Sequence, residues 1–192
     1  MKRAIFLDRD GVINKLIYHP EAKEYGAPFC ASDLSFYPWS LPALKKLKKM
    51  GFLLFLVSNQ PDYAKGYTSL KNLRAVHQRF HKYLKDNGIK FTKYYYCYHH
   101  PNGKVPRYSR VCPCRKPRPF FLLKAKENYA LDLRNSWFIG DSDSDIFCGQ
   151  VVKTKTILIK EEYSKQKRGL GHPDFSVRNL KEAVGAIINF KP

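Results

Sequence analysis

A chain of 192 residues with a 44% hydrophobic fraction is long enough for one domain with its own core, and no apolar run reaches the length of a membrane span. Lys+Arg 35 against Asp+Glu 16 gives a formal net charge of +19, a field that attracts anions: nucleic acid, an acidic membrane surface or a phosphorylated small molecule. The five cysteines follow an opening, MKRAIFLD, with no long apolar stretch or small-residue cleavage site. That argues against a secreted disulfide scaffold, so a cytoplasmic location is expected, where thiols stay reduced and clustered cysteines suggest a metal.

Strand and helix signals alternate along the chain. Ala4-Ile5-Phe6-Leu7 is a short apolar run ending in Asp8. Leu41, Leu44 and Leu47 recur at helical spacing with Lys45, Lys46, Lys48 and Lys49 between them, which predicts an amphipathic helix over about 41–50 with a wet basic face. The run FLLFLV, 52–57, ends in Ser58; a helical pattern follows over 69–86, then the aromatic run YYYCY at 94–98. Further helical patterns cover 118–130, 143–150 and 178–189. Between them lie Trp137-Phe138-Ile139, ending at Gly140-Asp141, and Thr156-Ile157-Leu158-Ile159. Continuous apolar runs suit strands covered on both faces. Their alternation with helices predicts an α/β fold: one domain over 1–192, three layers, a parallel sheet of about five strands. Residues 15–37 and 97–117 are left as long irregular stretches.

Polar residues gather where the predicted strands end. Asp8 and Asp10 follow the first, Ser58, Asn59 and Gln60 the second, and Asp141 the run at 137–139. Open α/β sheets bind ligands beyond the carboxyl ends of their strands, so these groups are expected together. Of two carboxylates after a buried strand, one can attack as a nucleophile and the other can move a proton. Asp141 could complete an oxygen site for a hard cation such as magnesium. Ser58 and the backbone N–H groups after it suit a phosphate oxygen, and Lys116 adds positive charge, the parts phosphoryl transfer asks for.

The segments FLDRDGVIN (6–14), SNQ (58–60), CRKP (114–117) and GDSDSD (140–145) resemble the four motifs of the haloacid dehalogenase superfamily. The cluster Cys97-Tyr98-His99 with Cys112-Pro113-Cys114 narrows the resemblance to the zinc-containing branch that holds the D-glycero-D-manno-heptose-1,7-bisphosphate 7-phosphatases and the histidinol-phosphate phosphatases. The resemblance implies a Rossmann-like sheet with a minimal cap. It implies that Asp8 attacks phosphorus to form an aspartyl-phosphate and that Asp10 serves as general acid and base. Magnesium would bind at Asp8, the Asp10 carbonyl and Asp141. Ser58, Asn59, Gln60 and Lys116 would surround the phosphoryl group, Arg115 would contact the rest of the substrate, and Asp145 would orient Asp141 or Lys116. Cys97, His99, Cys112 and Cys114 would hold a structural zinc in a loop over 97–114, with His100 as the alternative to His99.

The chain departs from that pattern after Gln60. Relatives of this kind continue Ser-Gly-x-Ala-Arg-Gly; here the residues are Pro61-Asp62-Tyr63-Ala64-Lys65-Gly66. Lys65 keeps the charge and loses the planar fork of Arg, and Asp62 adds an acid that could bond sugar hydroxyls. The leading expectation is a sugar-bisphosphate phosphatase that builds heptose units of bacterial surface polysaccharide, a monomer acting on a small phosphorylated sugar. The rivals are a histidinol-phosphate phosphatase, a DNA 3′-phosphatase, and a zinc-stabilised nucleic-acid-binding module. The last two suit the +19 charge but are disfavoured, one by the zinc cluster and the other by the intact set Asp8, Asp10, Lys116 and Asp141.

Overall fold

A computed structural model describes residues 1–190; the last two residues of the expected 1–192 domain lie outside the described residues. The chain runs β1 (Ala4–Leu7), β2 (Ile17–His19), β3 (Glu24–Gly26), α1 (Ser40–Lys49), β4 (Leu53–Asn59), α2 (Leu70–Asp86), β5 (Lys93–Cys97), α3 (Phe120–Tyr129), β6 (Trp137–Gly140), α4 (Asp143–Val151), β7 (Lys155–Ile159), β8 (Phe175–Val177) and α5 (Leu180–Asn189). The fold is α/β, as the alternation predicts.

Every residue of β1 is buried, and its side chains divide by the period of two that a strand imposes. Ile5 and Leu7 enter a core shared with α1, α2 and α5, whereas Ala4 and Phe6 enter a second core against α3 and α4. The helices therefore cover both faces of the sheet. The helical periodicity explains their attachment: Leu73, Val76, Phe80 and Leu84 are the buried stripe of α2, whose first turn is capped by Ser69 Oγ accepting from Asn72 N at 3.0 Å. On α1, Leu44 and Leu47 are buried, Leu41 is half-buried, and Lys45, Lys46, Lys48 and Lys49 are exposed, so part of the positive charge is an ordinary solvated face.

The large sheet has the order β5-β4-β1-β6-β7-β8, and all its pairs are parallel. It has six strands where periodicity gave about five. The added strand, β8, is a three-residue Phe-Ser-Val segment, too short and too mixed to carry a clear period. Residues 15–37 are also more ordered than expected. They contain the antiparallel hairpin β2–β3 and a single 3-10 turn at Ala31–Asp33.

The order of the strands places the site. From β1 the chain steps outward through α1 to β4 and through α2 to β5, then returns through α3 to β6 on the other side of β1. Strand order thus reverses around β1, and the crevice at such a switch point opens beyond the carboxyl ends of β1, β4 and β6.

Candidate active site

Asp8, Asn59 and Asp141 stand at or just past those three strand ends, and all line one cavity of about 200 Å³. Drug-sized pockets occupy roughly 300–1,000 Å³ and have mostly apolar walls. This one is smaller, and its walls carry Asp10, Arg115, Lys116 and Lys167 as well, so it suits a small, highly polar ligand.

Lys116 lies at the centre. Its ammonium is 3.0 Å from Asp8 Oδ1 and 2.6 Å from Asp145 Oδ1, and it donates to the Val57 carbonyl at 2.8 Å. Burial disfavours the charged form, but Asp145 and Asp8 outweigh it and push the Lys116 pKa up. The backbone is pinned at the same place: Lys116 N donates to Asn59 Oδ1 at 3.1 Å, and Asn59 Nδ2 donates to Lys116 O at 3.2 Å. Asp145 is fully buried, and its other oxygen accepts from Ser142 N at 3.1 Å and Ser142 Oγ at 2.7 Å. A Cβ on Gly140 would lie 2.2 Å from Asp145 Cβ, so only glycine admits this approach.

Asp10 is held by Arg9 and Asn14, to which sequence reasoning gave no role, and by Gln60, which it placed around the phosphoryl group. Arg9, 0% exposed, donates through Nε to Asp10 Oδ1 at 3.0 Å and through Nη2 to Gln60 Oε1 at 2.7 Å. Asn14 Nδ2 donates to Asp10 Oδ1 at 2.9 Å, and Gln60 Nε2 donates to Asp10 Oδ2 at 2.6 Å. Burial raises the Asp10 pKa, but the Arg9 charge and these hydrogen bonds prevail and hold it below the usual carboxylate range. The available signal was the basic residue between two aspartates. Gln60 and Ser58 sit behind the cavity wall, at 0% and 2% exposure, and Ser58 Oγ accepts from Gln60 Nε2 at 3.0 Å.

Asp8 and Asp141 are less fully compensated. Burial raises Asp8 to about 6, against the pull of Lys116 and with the repulsion of Asp145 and Asp10. Burial, then Asp8 and Asp145, raise Asp141 to about 8, and its Oδ2 is buried without a hydrogen-bond partner. Gly11, at φ +77°, lets the backbone turn against this oxygen, which would be 2.3 Å from a Cβ there. Oxygens of Asp8, Asp141 and Asp145 lie within 4.8 Å of one another. Crowded, buried oxygen donors with an unpaired anion among them fit a hard divalent cation.

The second cluster lies one residue before Arg115. The Sγ atoms of Cys97, Cys112 and Cys114 are 3.3–3.5 Å apart, and His99 Nδ1 is 3.8 Å from Cys97 Sγ and 3.6 Å from Cys114 Sγ. A tetrahedron with Zn–S bonds of about 2.3 Å has edges of about 3.8 Å, so the donors have the spacing and the chemistry of a zinc set. His100 is not in the group; its Nδ1 accepts from Asn102 N at 3.2 Å. Arg115 leaves the cluster toward the cavity and donates to the His99 carbonyl at 3.2 Å. The loop also braces the segment after β4, because Lys104 N and Val105 N both donate to Ala64 O, at 2.6 and 3.1 Å.

The fold, with these groups at its switch point, is that of a haloacid dehalogenase-like phosphatase, a phosphoric monoester hydrolase. A family model for HAD-hydrolase-like proteins matches residues 113–183. The chain is 39% identical over 161 residues to the D-glycero-beta-D-manno-heptose-1,7-bisphosphate 7-phosphatase of Pasteurella multocida, covering 83% of each protein. It is 33% identical over 148 residues to the D-glycero-alpha-D-manno-heptose-1,7-bisphosphate 7-phosphatase of Photorhabdus laumondii, covering 77% of this chain and 76% of that protein. The crystal structure of D,D-heptose 1,7-bisphosphate phosphatase from B. bronchiseptica, complexed with magnesium and phosphate, superposes with a TM-score of 0.78 at 25% identity over 98% of both chains. The chain belongs to the heptose-1,7-bisphosphate 7-phosphatase family of these hydrolases. Among the described residues, no helix is long and apolar enough to cross a membrane.

The clamp on Asp10 yields a stability prediction. Gln60→Leu removes the donor to Asp10 and the acceptor of Arg9 together, leaving two buried charges each short of a partner. Unfolding in urea should show a loss of roughly 2–4 kcal/mol, against a few tenths for an exposed change such as Lys45→Gln.

Proposed function

We propose that this chain removes the 7-phosphate of D-glycero-D-manno-heptose 1,7-bisphosphate through an aspartyl-phosphate on Asp8. The observation that carries the reading is the meeting of Asp8, Lys116 and Asp141 at one switch point, in a chain 39% identical to a relative of that name.

Each residue has a place in the cycle. An Asp8 oxygen attacks phosphorus, the bond from phosphorus to the sugar oxygen breaks, and the departing oxygen takes a proton from Asp10. A water molecule then gives a proton back to Asp10 and attacks the same phosphorus, releasing inorganic phosphate and restoring the Asp8 carboxylate. Asp10 rests ionised, ready for the second half; for the first half, the negative charge of bound phosphate raises its pKa, as a neighbouring anion does. Lys116 and Asn59 hold the phosphoryl oxygens. Ser58 accepts from Gln60 behind the cavity wall and helps to fix the Gln60 amide against Asp10. Arg115, with Lys65 and Lys167 on the same cavity wall, receives the second phosphate, while Gln60 and Arg9 keep Asp10 in place.

Two metals fit the donor sets. Magnesium would be held by the Asp8 and Asp141 carboxylates and the Asp10 backbone carbonyl, and when bound it supplies positive charge to the phosphoryl oxygens. Zinc would be held by Cys97, His99, Cys112 and Cys114 as a closed structural site. Its part is to fix the loop that ends in Arg115 and Lys116, since a misplacement of about 1 Å can cost roughly a hundredfold in rate. The protein acts as a monomer on a small phosphorylated sugar, and its basic charge is not a nucleic-acid signal.

Phosphate release in the presence of magnesium tests the substrate. Both anomers of heptose 1,7-bisphosphate should be compared with histidinol phosphate and a 3′-phosphorylated oligonucleotide. One heptose anomer should win by at least about a hundredfold in kcat/KM, and Asp8→Asn should abolish turnover, a loss on the order of 10⁴-fold or more. Preference for histidinol phosphate or the oligonucleotide would overturn the reading.

Elemental analysis tests the zinc site separately. The purified chain should carry one zinc, Cys112→Ser should lose it, and that variant should melt several degrees lower while keeping its magnesium requirement. A chain free of zinc that melts and turns over normally would refute the site.

A further inference from the structure

The segment after β4 departs from the pattern that the family resemblance implies, and the departure faces the cavity. Asp62 lines it together with Pro61 and Lys65 from its own loop and Glu24, Tyr25 and Ala27 from the β2–β3 hairpin. The residue is only 8% exposed. Its Oδ2 is buried and has no hydrogen-bond partner among the described residues. The position is over-determined by contacts that do not involve the carboxylate. Tyr67 N donates to Asp62 O at 2.9 Å, the zinc-loop amides of Lys104 and Val105 hold Ala64 O, and Tyr63 packs edge-on against Tyr108 with ring centroids 5.1 Å apart. Burial, then the charge of Asp10, raises the Asp62 pKa, and Lys65, Arg9 and His19 oppose the rise.

The fold thus keeps a carboxylate in the cavity wall without giving it a donor. Buried polar groups are hydrogen-bonded as a rule, and a standing exception points to a ligand that supplies the missing group. Four cations, Lys65, Arg115, Lys116 and Lys167, share the wall; Lys116 is paired with Asp8 and Asp145, which leaves Lys65, Arg115 and Lys167 to meet an anionic ligand. An uncharged O–H donor attached to an anion satisfies both halves of the wall: the anion meets the cations, the hydroxyl meets the carboxylate. Tyr25 is held at the rim by stacking on Tyr163, with centroids 3.9 Å apart, so the hairpin presents a fixed surface opposite Asp62.

We infer that Asp62 is a specificity-determining residue that accepts hydrogen bonds from hydroxyl groups of a polyol attached to the scissile phosphate. The inference rests on the reading of this cavity as the phosphomonoester site and assigns the hydroxyl contact to a residue of this chain's own. A site built to bond a hydroxyl rejects analogues that lack it more strongly than an apolar pocket rejects a missing methylene. Asp62 also disfavours a second anion at its position, which turns away the adjoining phosphodiester of a nucleic-acid end.

The test is a ratio. kcat/KM is measured for heptose 1,7-bisphosphate, sorbitol 6-phosphate and phenyl phosphate with the wild-type chain, Asp62→Ala and Asp62→Asn. The wild type should favour the two polyol phosphates over phenyl phosphate. Asp62→Ala should lower that preference by roughly 10–100-fold, mainly through KM, and Asp62→Asn, which keeps one acceptor, by less. Dividing by the phenyl phosphate value removes any general loss of folded or active enzyme, and the isosteric Asn variant keeps the test available if Ala folds poorly. A preference unchanged in both variants overturns the inference, and so does a wild type with no preference for polyol phosphates. If sorbitol 6-phosphate is cleaved and heptose bisphosphate is not, the heptose reading fails while the ratio still decides the role of Asp62.

Discussion

The ammonium of Lys116, 3% exposed, is bonded to groups from three separate segments: Asp8 after β1, the Val57 carbonyl in β4, and Asp145 in α4. The Val57 carbonyl accepts a hydrogen bond and the two carboxylates lie at ion-pair distance, so the charge is compensated inside the fold. Taking an ion out of water costs several kcal/mol even after the protein relaxes, and such pairing offsets it. Loss of this one charge would leave Asp145, 0% exposed, as an uncompensated buried anion, a defect worth about 3–5 kcal/mol. Lys116 is therefore a bolt through the fold, and the part proposed for it in the reaction would not be separable from stability by a simple deletion.

The same accounting shows where a cation would fit. Four buried or nearly buried carboxylates, Asp8, Asp10, Asp141 and Asp145, face two buried cations, Arg9 and Lys116. Arg9 is committed to Asp10, and Lys116 is shared by Asp8 and Asp145. Asp141 is left with an unpartnered oxygen, and the two negative charges by which these groups, fully ionised, would exceed the cations are what one divalent ion would neutralise. The cysteine–histidine cluster acts at one remove. With zinc bound it would fix the chain immediately before Arg115 and Lys116, and the loop it closes already donates the amides of Lys104 and Val105 to Ala64 O, in the segment that carries Asp62 and Lys65. One staple would thus serve both ends of the cavity.

The helices and five of the strands were legible because each buries a continuous stripe or run; Leu73, Val76, Phe80 and Leu84 announce α2 without help from anything distant. Asp8, Ser58 and Asp141 could be placed together because a parallel sheet leaves its ligand crevice at the strand ends. What stayed hidden depends on contacts across the chain. The hairpin β2–β3 has only three residues per strand and gains its place by packing over the cavity, as with Tyr25 on Tyr163. The clamp of Arg9, Asn14 and Gln60 around Asp10 spans 51 residues, and no local pattern encodes it. Of the +19 charge, Lys45, Lys46, Lys48 and Lys49 on α1 are exposed opposite the buried Leu44 and Leu47, a solvated face that the periodicity alone shows.

The central claim is that Asp8 itself receives the phosphoryl group. Rapid acid quench of the enzyme during turnover, followed by peptide mass spectrometry, addresses it directly. The account predicts one phosphoryl group on the peptide that carries Asp8, rising before free phosphate and absent from Asp8→Asn. Steady turnover with Asp8 unmodified at every quench time, or a phosphoryl group on another residue with the same kinetics, would contradict it.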